Sequence, residues 1–152
     1  MIMYGVIEQG KHLGRRLGFP TANIAPHEVT GGRPRNGVYA CAVWLDGDEL
    51  AWPGMLNQGM HPTAPEGTFT IEIHLMGCQG DLYGLPVRVE YLRFLRPERR
   101  FDDLEALKAQ LALDRKEVLD WIFGAMPAGD ADPETLQAHR IRWHEMGDRN
   151  GI

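Results

Sequence analysis

The feature that most restricts what this chain can fold into is a change of hydrophobic period near Arg96-Pro97-Glu98. Upstream, short runs of β-favouring residues are broken by Gly, Asp and Pro. Met1 to Ile7 predicts a first strand, and Gly37 to Leu45 a second, rich in Val, Tyr and Trp. Asp46-Gly47-Asp48 supplies turn chemistry for a hairpin into Leu50 to Asn57. Thr68 to Met76 alternates, with Phe69, Ile71, Ile73 and Leu75 on one face and Thr70, Glu72 and His74 on the other. A turn over Gly80 to Gly84 leads into Val87 to Leu95, with Val87, Val89 and Tyr91 on one side. Strands in series with no helix between them predict a mainly β fold, an antiparallel barrel or sandwich.

Downstream the apolar spacing becomes helical. Asp102 with Glu105 reads as a capping box ahead of a stripe of Leu104, Leu107 and Leu111, placing a helix across the barrel. Asp114 with Glu117 repeats that signal, so a second short helix or a continuation runs to about Phe123. A Gly-, Ala- and Pro-rich linker precedes a third helix from Asp132-Pro133 to about Glu145. The expected organisation is a barrel with its closing helix over residues 1–124 and a linker plus helical extension over 125–152.

At 152 residues the chain suits one cooperative core, and 43% hydrophobic with 24% charged residues excludes disorder. A net charge of −5 argues against a nucleic-acid surface. Cys41 and Cys78 lie far apart without CxxC spacing, predicting two reduced, mostly buried thiols rather than a zinc site or a disulfide framework. No stretch approaches the ~18 apolar residues of a membrane span, and no signal-peptide pattern opens the chain, so a cytoplasmic protein is expected.

Chemistry concentrates between Gly10 and Asn23. Gly10, Gly14 and Gly18 permit close backbone approach to an anion, while Lys11, Arg15 and Arg16 bring positive charge. Pro20 stiffens the chain before Thr21 and Asn23, whose oxygens suit a hard cation such as Mg²⁺ shared with phosphates. The spacing matches neither the P-loop nor the dinucleotide fingerprint, and an irregular turn in a β protein fits the glycines equally well. Glu72, on a polar strand face beside His74, has the form of a general base toward a hydroxyl, although spacing alone favours a solvated face.

The segment Gly14 to Ile24 (Gly-Arg-Arg-Leu-Gly-Phe-Pro-Thr-Ala-Asn-Ile) is similar to the signature of riboflavin kinases, and further landmarks follow in order. These are Gly37-Val38-Tyr39-Ala40, Asn57 to Thr63, Glu72-Ile73-His74, Asp81 to Gly84, and Leu95 to Glu98 with Phe101 and Leu104. The resemblance spans about residues 5 to 114. It implies a six-stranded antiparallel Greek-key barrel with C-terminal helices packed on it, and phosphorylation of the riboflavin 5′-hydroxyl by Mg-ATP to give FMN and ADP. It further implies that Thr21 and Asn23 bind Mg²⁺ and the ATP phosphates within a loop shaped by Gly10, Lys11, Gly14, Arg15, Gly18 and Pro20. Glu72 is implied as catalytic base, and His74 and Tyr83 as the adenine side. Arg96, Glu98, Phe101, Leu104 and Leu107 would close over the flavin.

The same resemblance shows departures. The adenylyltransferase half that accompanies this domain in many bacteria is missing, so FAD formation is not expected. Met60 and His61 stand where small and basic residues often precede Pro-Thr. The expected partners are riboflavin and ATP, without nucleic acid or membrane, and the expected state is a monomer. A non-catalytic flavin- or nucleotide-binding module of the same fold is the alternative.

Overall fold

Alternating apolar and polar residues give strands one dry face, and closing a sheet on itself is one way to bury that face without leaving an edge. The computed structural model describes residues 1–8, 21–30, 32, 34–48, 51–60, 69–78 and 81–123. It contains β1 (Ile2–Glu8), β2 (Ala22–Thr30), β3 (Gly37–Leu45), β4 (Trp52–Met60), β5 (Phe69–Leu75), β6 (Pro86–Arg96) and one helix, α1 (Leu104–Phe123). The strands form a closed antiparallel barrel in the order β1-β2-β5-β4-β3-β6.

The barrel interior is filled by alternate residues of every strand, among them Met3, Ile7, Ile24, Cys41, Val43, Leu56, Ile71, Ile73, Leu75, Val87 and Val89. The predicted faces of the fifth and sixth strands therefore stand. A second apolar cluster lies outside the barrel, where Val38, Ala40, Ala42 and Met55 meet Val118 and Leu119 of α1. Outside that sector the described outer surface is mixed, with Tyr4 and Met60 exposed among polar residues.

Strand β2 is absent from the sequence-based reading. Its Ala-Pro-His-Glu run has weak strand character, and Pro26 argues against a central strand. The structure accommodates it at a bulge: the β1–β2 register shifts between the Tyr4–Glu28 and Gly5–Pro26 pairs. There an irregular ladder tolerates the missing N–H.

Of the two helix alternatives the structure has the continuation: both capping signals belong to one helix, α1, and the third expected helix lies outside the described residues. The cap is Asp103 rather than Asp102, since Asp103 Oδ1 accepts from Ala106 N at 2.7 Å. Leu104 is exposed, and the face turned to the barrel carries Leu111, Asp114, Val118 and Leu119. Asp114 is thus a buried residue of the helix interior, not a cap. Cys41 is fully buried and Cys78 half-buried, with neither in a disulfide. Burial pushes the Cys41 thiol pKa well up. No described helix is long and apolar enough to cross a membrane.

Gly37 opens β3 at φ 150°, where a Cβ would collide with the Arg96 carbonyl oxygen and stand 2.6 Å from Phe94 Cε2. The carbonyl belongs to the backbone of β6 and cannot swing aside. Gly37→Ala is expected to destabilise the protein by about 2 kcal/mol, lowering the thermal midpoint by roughly 4–8 °C. An unchanged melting curve would show that the β3–β6 approach can relax.

Candidate active site

Strand register places Asn23 opposite Glu72, and Glu72 opposite Asn57. The same row continues to Glu8 beyond Asn23, and to Val38 and Arg96 beyond Asn57. Since Ile24, Leu56, Ile71 and Ile73 point into the barrel, Asn23, Asn57 and Glu72 stand on its outer surface. Neighbouring strands lie about 4.8 Å apart and directly opposed Cβ atoms about 5 Å apart. A carboxylate flanked by two amides therefore spans three adjacent strands. Glu72 and Asn23 are half-buried and Asn57 is exposed.

Two elements wall this row. On one side α1 covers the outer face: Arg115 Nε donates to His74 Nε2 at 3.3 Å, and His74 is only 7% exposed. Burial lowers the Arg115 pKa from its ordinary value, yet a guanidinium remains a cation at neutral pH. His74 is two positions from Glu72 along β5, so this cation shares the outer face with the carboxylate.

On the other side lies the connection from β6 to α1. Arg96 donates to Asp114 through Nε at 3.0 and 3.1 Å and through Nη2 at 2.7 Å. Gln110 Nε2 donates to the same carboxylate at 2.8 Å, and Arg99 Nη1 donates to Gln110 Oε1 at 3.1 Å. Arg96 and Arg99 also approach the Phe101 ring, at 5.8 and 5.1 Å from its centroid. Glu98 reaches over β4, where its Oε1 accepts from Met60 N at 3.0 Å. A side chain at Gly59 would collide with that carboxyl group, so the glycine makes the approach possible.

Of the sequence-based site residues, Gly10, Lys11, Gly14, Arg15, Gly18 and Pro20 lie outside the described residues. Thr21 and Asn23 sit together at the start of β2, next to Glu72. Tyr83 is 60% exposed in a turn tied to the end of β1, where Gly84 N donates to Ile7 O at 2.8 Å. Arg96, Glu98 and Phe101 form the strap just described. Leu107 is half-buried and Leu104 55% exposed on the first turns of α1. The sequence reading gave no site role to Asn57, Gln110, Asp114 or Arg115. For Asn57 two signals were available: it opens one of the landmarks of the resemblance, and it is an Asn inside a β run, where that residue type is depleted.

Thr21 and Asn23 together offer a hydroxyl and an amide oxygen, hard donors that fit Mg²⁺ shared with phosphates rather than a soft metal. A separate depression of about 210 Å³, lined by Met1, Tyr39, Tyr91 and Phe94 among others, lies away from this row. Its phenols are engaged: Tyr91 Oη donates to Gln58 Oε1 at 2.7 Å and Tyr39 Oη to Arg35 O at 2.7 Å.

The sequence profile of the family described as "Flavokinase: Riboflavin kinase" matches residues 1–122. The bifunctional riboflavin kinase/FMN adenylyltransferase of Pseudomonas fluorescens is 41% identical over 72% of this chain and 34% of its own length. The RNA-binding riboflavin kinase RibR of Bacillus subtilis (strain 168) is 39% identical over 74% of this chain and 47% of its own length. The chain thus spans between a third and a half of these two relatives. The crystal structure of riboflavin kinase from Trypanosoma brucei superposes with a TM-score of 0.54 at 23% identity, covering 80% of this chain and 78% of that one, a likeness of fold.

Proposed function

Since the chain belongs to the riboflavin kinase family, we propose that it transfers the γ-phosphoryl group of Mg-ATP to the 5′-hydroxyl of riboflavin, giving FMN and ADP. The observation that carries this reading is Glu72 on the outer barrel face, directly beside Asn23 and between two covering elements. A strand holds the carboxylate at a fixed place, as proton abstraction requires. Residues 1–124 form the catalytic unit in this reading, and 125–152 are an extension.

In the proposed step the terminal ribityl hydroxyl gives its proton to a Glu72 carboxylate oxygen while its oxygen bonds to the γ-phosphorus. The bond from that phosphorus to the β–γ bridging oxygen breaks, and its electron pair leaves on ADP. Glu72 then releases the proton to water. Thr21 and Asn23 would hold Mg²⁺, which when bound neutralises phosphate charge. The chain's own task is chiefly alignment, because phosphoryl transfer asks for in-line geometry more than covalent chemistry. The strap from Arg96 to Phe101 and the exposed Leu104 and half-buried Leu107 offer the flavin an edge of mixed aromatic and aliphatic character. On the nucleotide side, Tyr83 supplies an exposed ring and His74 a buried wall.

Purified protein incubated with riboflavin and Mg-ATP is expected to yield FMN on chromatography. Absence of FMN with Mg²⁺, Mn²⁺ and Zn²⁺ alike would overturn the proposal; bound flavin without phosphate transfer would identify a non-catalytic module instead. Asn23→Ala is expected to weaken Mg-nucleotide binding about tenfold, from the loss of one charge-assisted contact of roughly 1.5 kcal/mol, measured by calorimetric titration with Mg-ADP. Unaltered affinity would remove Asn23 from the phosphate site.

A further inference from the structure

We propose that Asn57 is a further substrate-contacting residue, whose side-chain amide donates a hydrogen bond to the alcohol oxygen that Glu72 deprotonates. This rests on the kinase reading above and adds a residue to its reacting centre. Four observations lead to it. Asn57 lies directly across the ladder from Glu72, so their Cβ atoms are about 5 Å apart on one face. It is exposed although three of its outward neighbours are covered: Met55 lies under α1, Gly59 under the Glu98 carboxyl group, and Val38 is 1% exposed. It occupies a strand paired on both sides, where Asn packs poorly. Among the described residues its amide has no hydrogen-bond partner.

An exposed amide at the floor of a covered sector is a window onto the barrel wall, and Glu72 forms its adjoining edge. An alcohol oxygen at hydrogen-bond distance from the Glu72 carboxylate falls within reach of the Asn57 side chain. The oxygen then points its O–H at Glu72 and accepts from the Asn57 amide on one lone pair. The other lone pair is left for phosphorus. An amide suits this place because it does not titrate and does not compete for the proton. Asn23, on the opposite side of Glu72, faces the nucleotide in the same reading, so the two amides divide the row between the two substrates.

Three proteins decide the matter: wild type, Asn57→Ala and Glu72→Gln. Asn57→Ala is expected to lower kcat about 10- to 100-fold, as misplacement of a reacting group does. Its affinity for Mg-ADP should stay within about twofold and its melting curve unchanged, as this position is exposed. A kcat for Asn57→Ala within about twofold of wild type, with Glu72→Gln inactive, would overturn this proposal and leave the kinase reading standing. A wild type that forms no FMN would remove the kinase reading and this one together.

Discussion

Glu72→Gln is expected to lower FMN formation about 10²- to 10⁴-fold, the range lost when a positioned general base is removed. Gln keeps the size of the side chain and one of its acceptor oxygens, so the half-buried place between Asn23 and Asn57 remains filled. What disappears is the capacity to take a proton. Because that capacity is used in the transition state, kcat and kcat/KM should fall together, while Mg-nucleotide affinity stays within about twofold. Stopped assays with separation of FMN from riboflavin measure the first, and titration with Mg-ADP the second. Turnover by Glu72→Gln at the wild-type rate would show that another group takes the proton.

Asp114→Ala should have the largest effect on stability. The carboxylate is 1% exposed, accepts three contacts from Arg96 and a fourth from Gln110, and is the polar centre of the α1 face that meets the barrel. Truncation leaves the Arg96 guanidinium, 17% exposed, without its partner in a partly dry site. Breaking a buried pair from one side costs about 3–5 kcal/mol, and the residual exposure of Arg96 points to the lower end. The thermal midpoint should fall by roughly 6–12 °C. Arg96→Met combined with Asp114→Leu should recover much of that loss, since neither charge is then stranded. A single variant that melts within about 2 °C of wild type would mean the pair contributes nothing net.

The same pair bears on activity, because Arg96 begins the strap that carries Glu98 over Gly59 and Met60. If that strap lies against the flavin, Asp114→Ala should raise KM for riboflavin more than KM for ATP. The helix that stabilises the barrel thereby also fixes the edge of the proposed cleft.

Much of this was legible in the residues. The alternation over Phe69 to Leu75 assigned Glu72 to the polar face, and Ile71 and Ile73 are indeed inside. The period change after Arg96 located α1, and Asp46-Gly47 and Tyr83-Gly84 form turns with positive φ at their glycines. Other elements were hidden by local exceptions that tertiary structure absorbs. Pro26 concealed β2 because a proline is tolerated where a bulge has already broken the ladder. Asp114 resembled a cap because aspartate most often sits there, whereas here Arg96, distant along the chain, makes burial of the charge possible. Leu104 resembled core because leucine at helical spacing usually is, yet on the first turn of α1 it stays 55% exposed.

What the sequence determined alone was the type of each strongly periodic element and the face its side chains take, since both follow from φ/ψ preferences and from which residues avoid water within a few positions. Which outward residues share a row was decided only on closure of the barrel. Asn23, Asn57 and Glu72 come from strands whose pairing is set by bulges, connections and the volume of the interior, and a slip of one position would turn any of them inward. The contact of Arg96 with Asp114 has the same origin, because the place where α1 settles on the outer face depends on which apolar positions the finished barrel leaves uncovered.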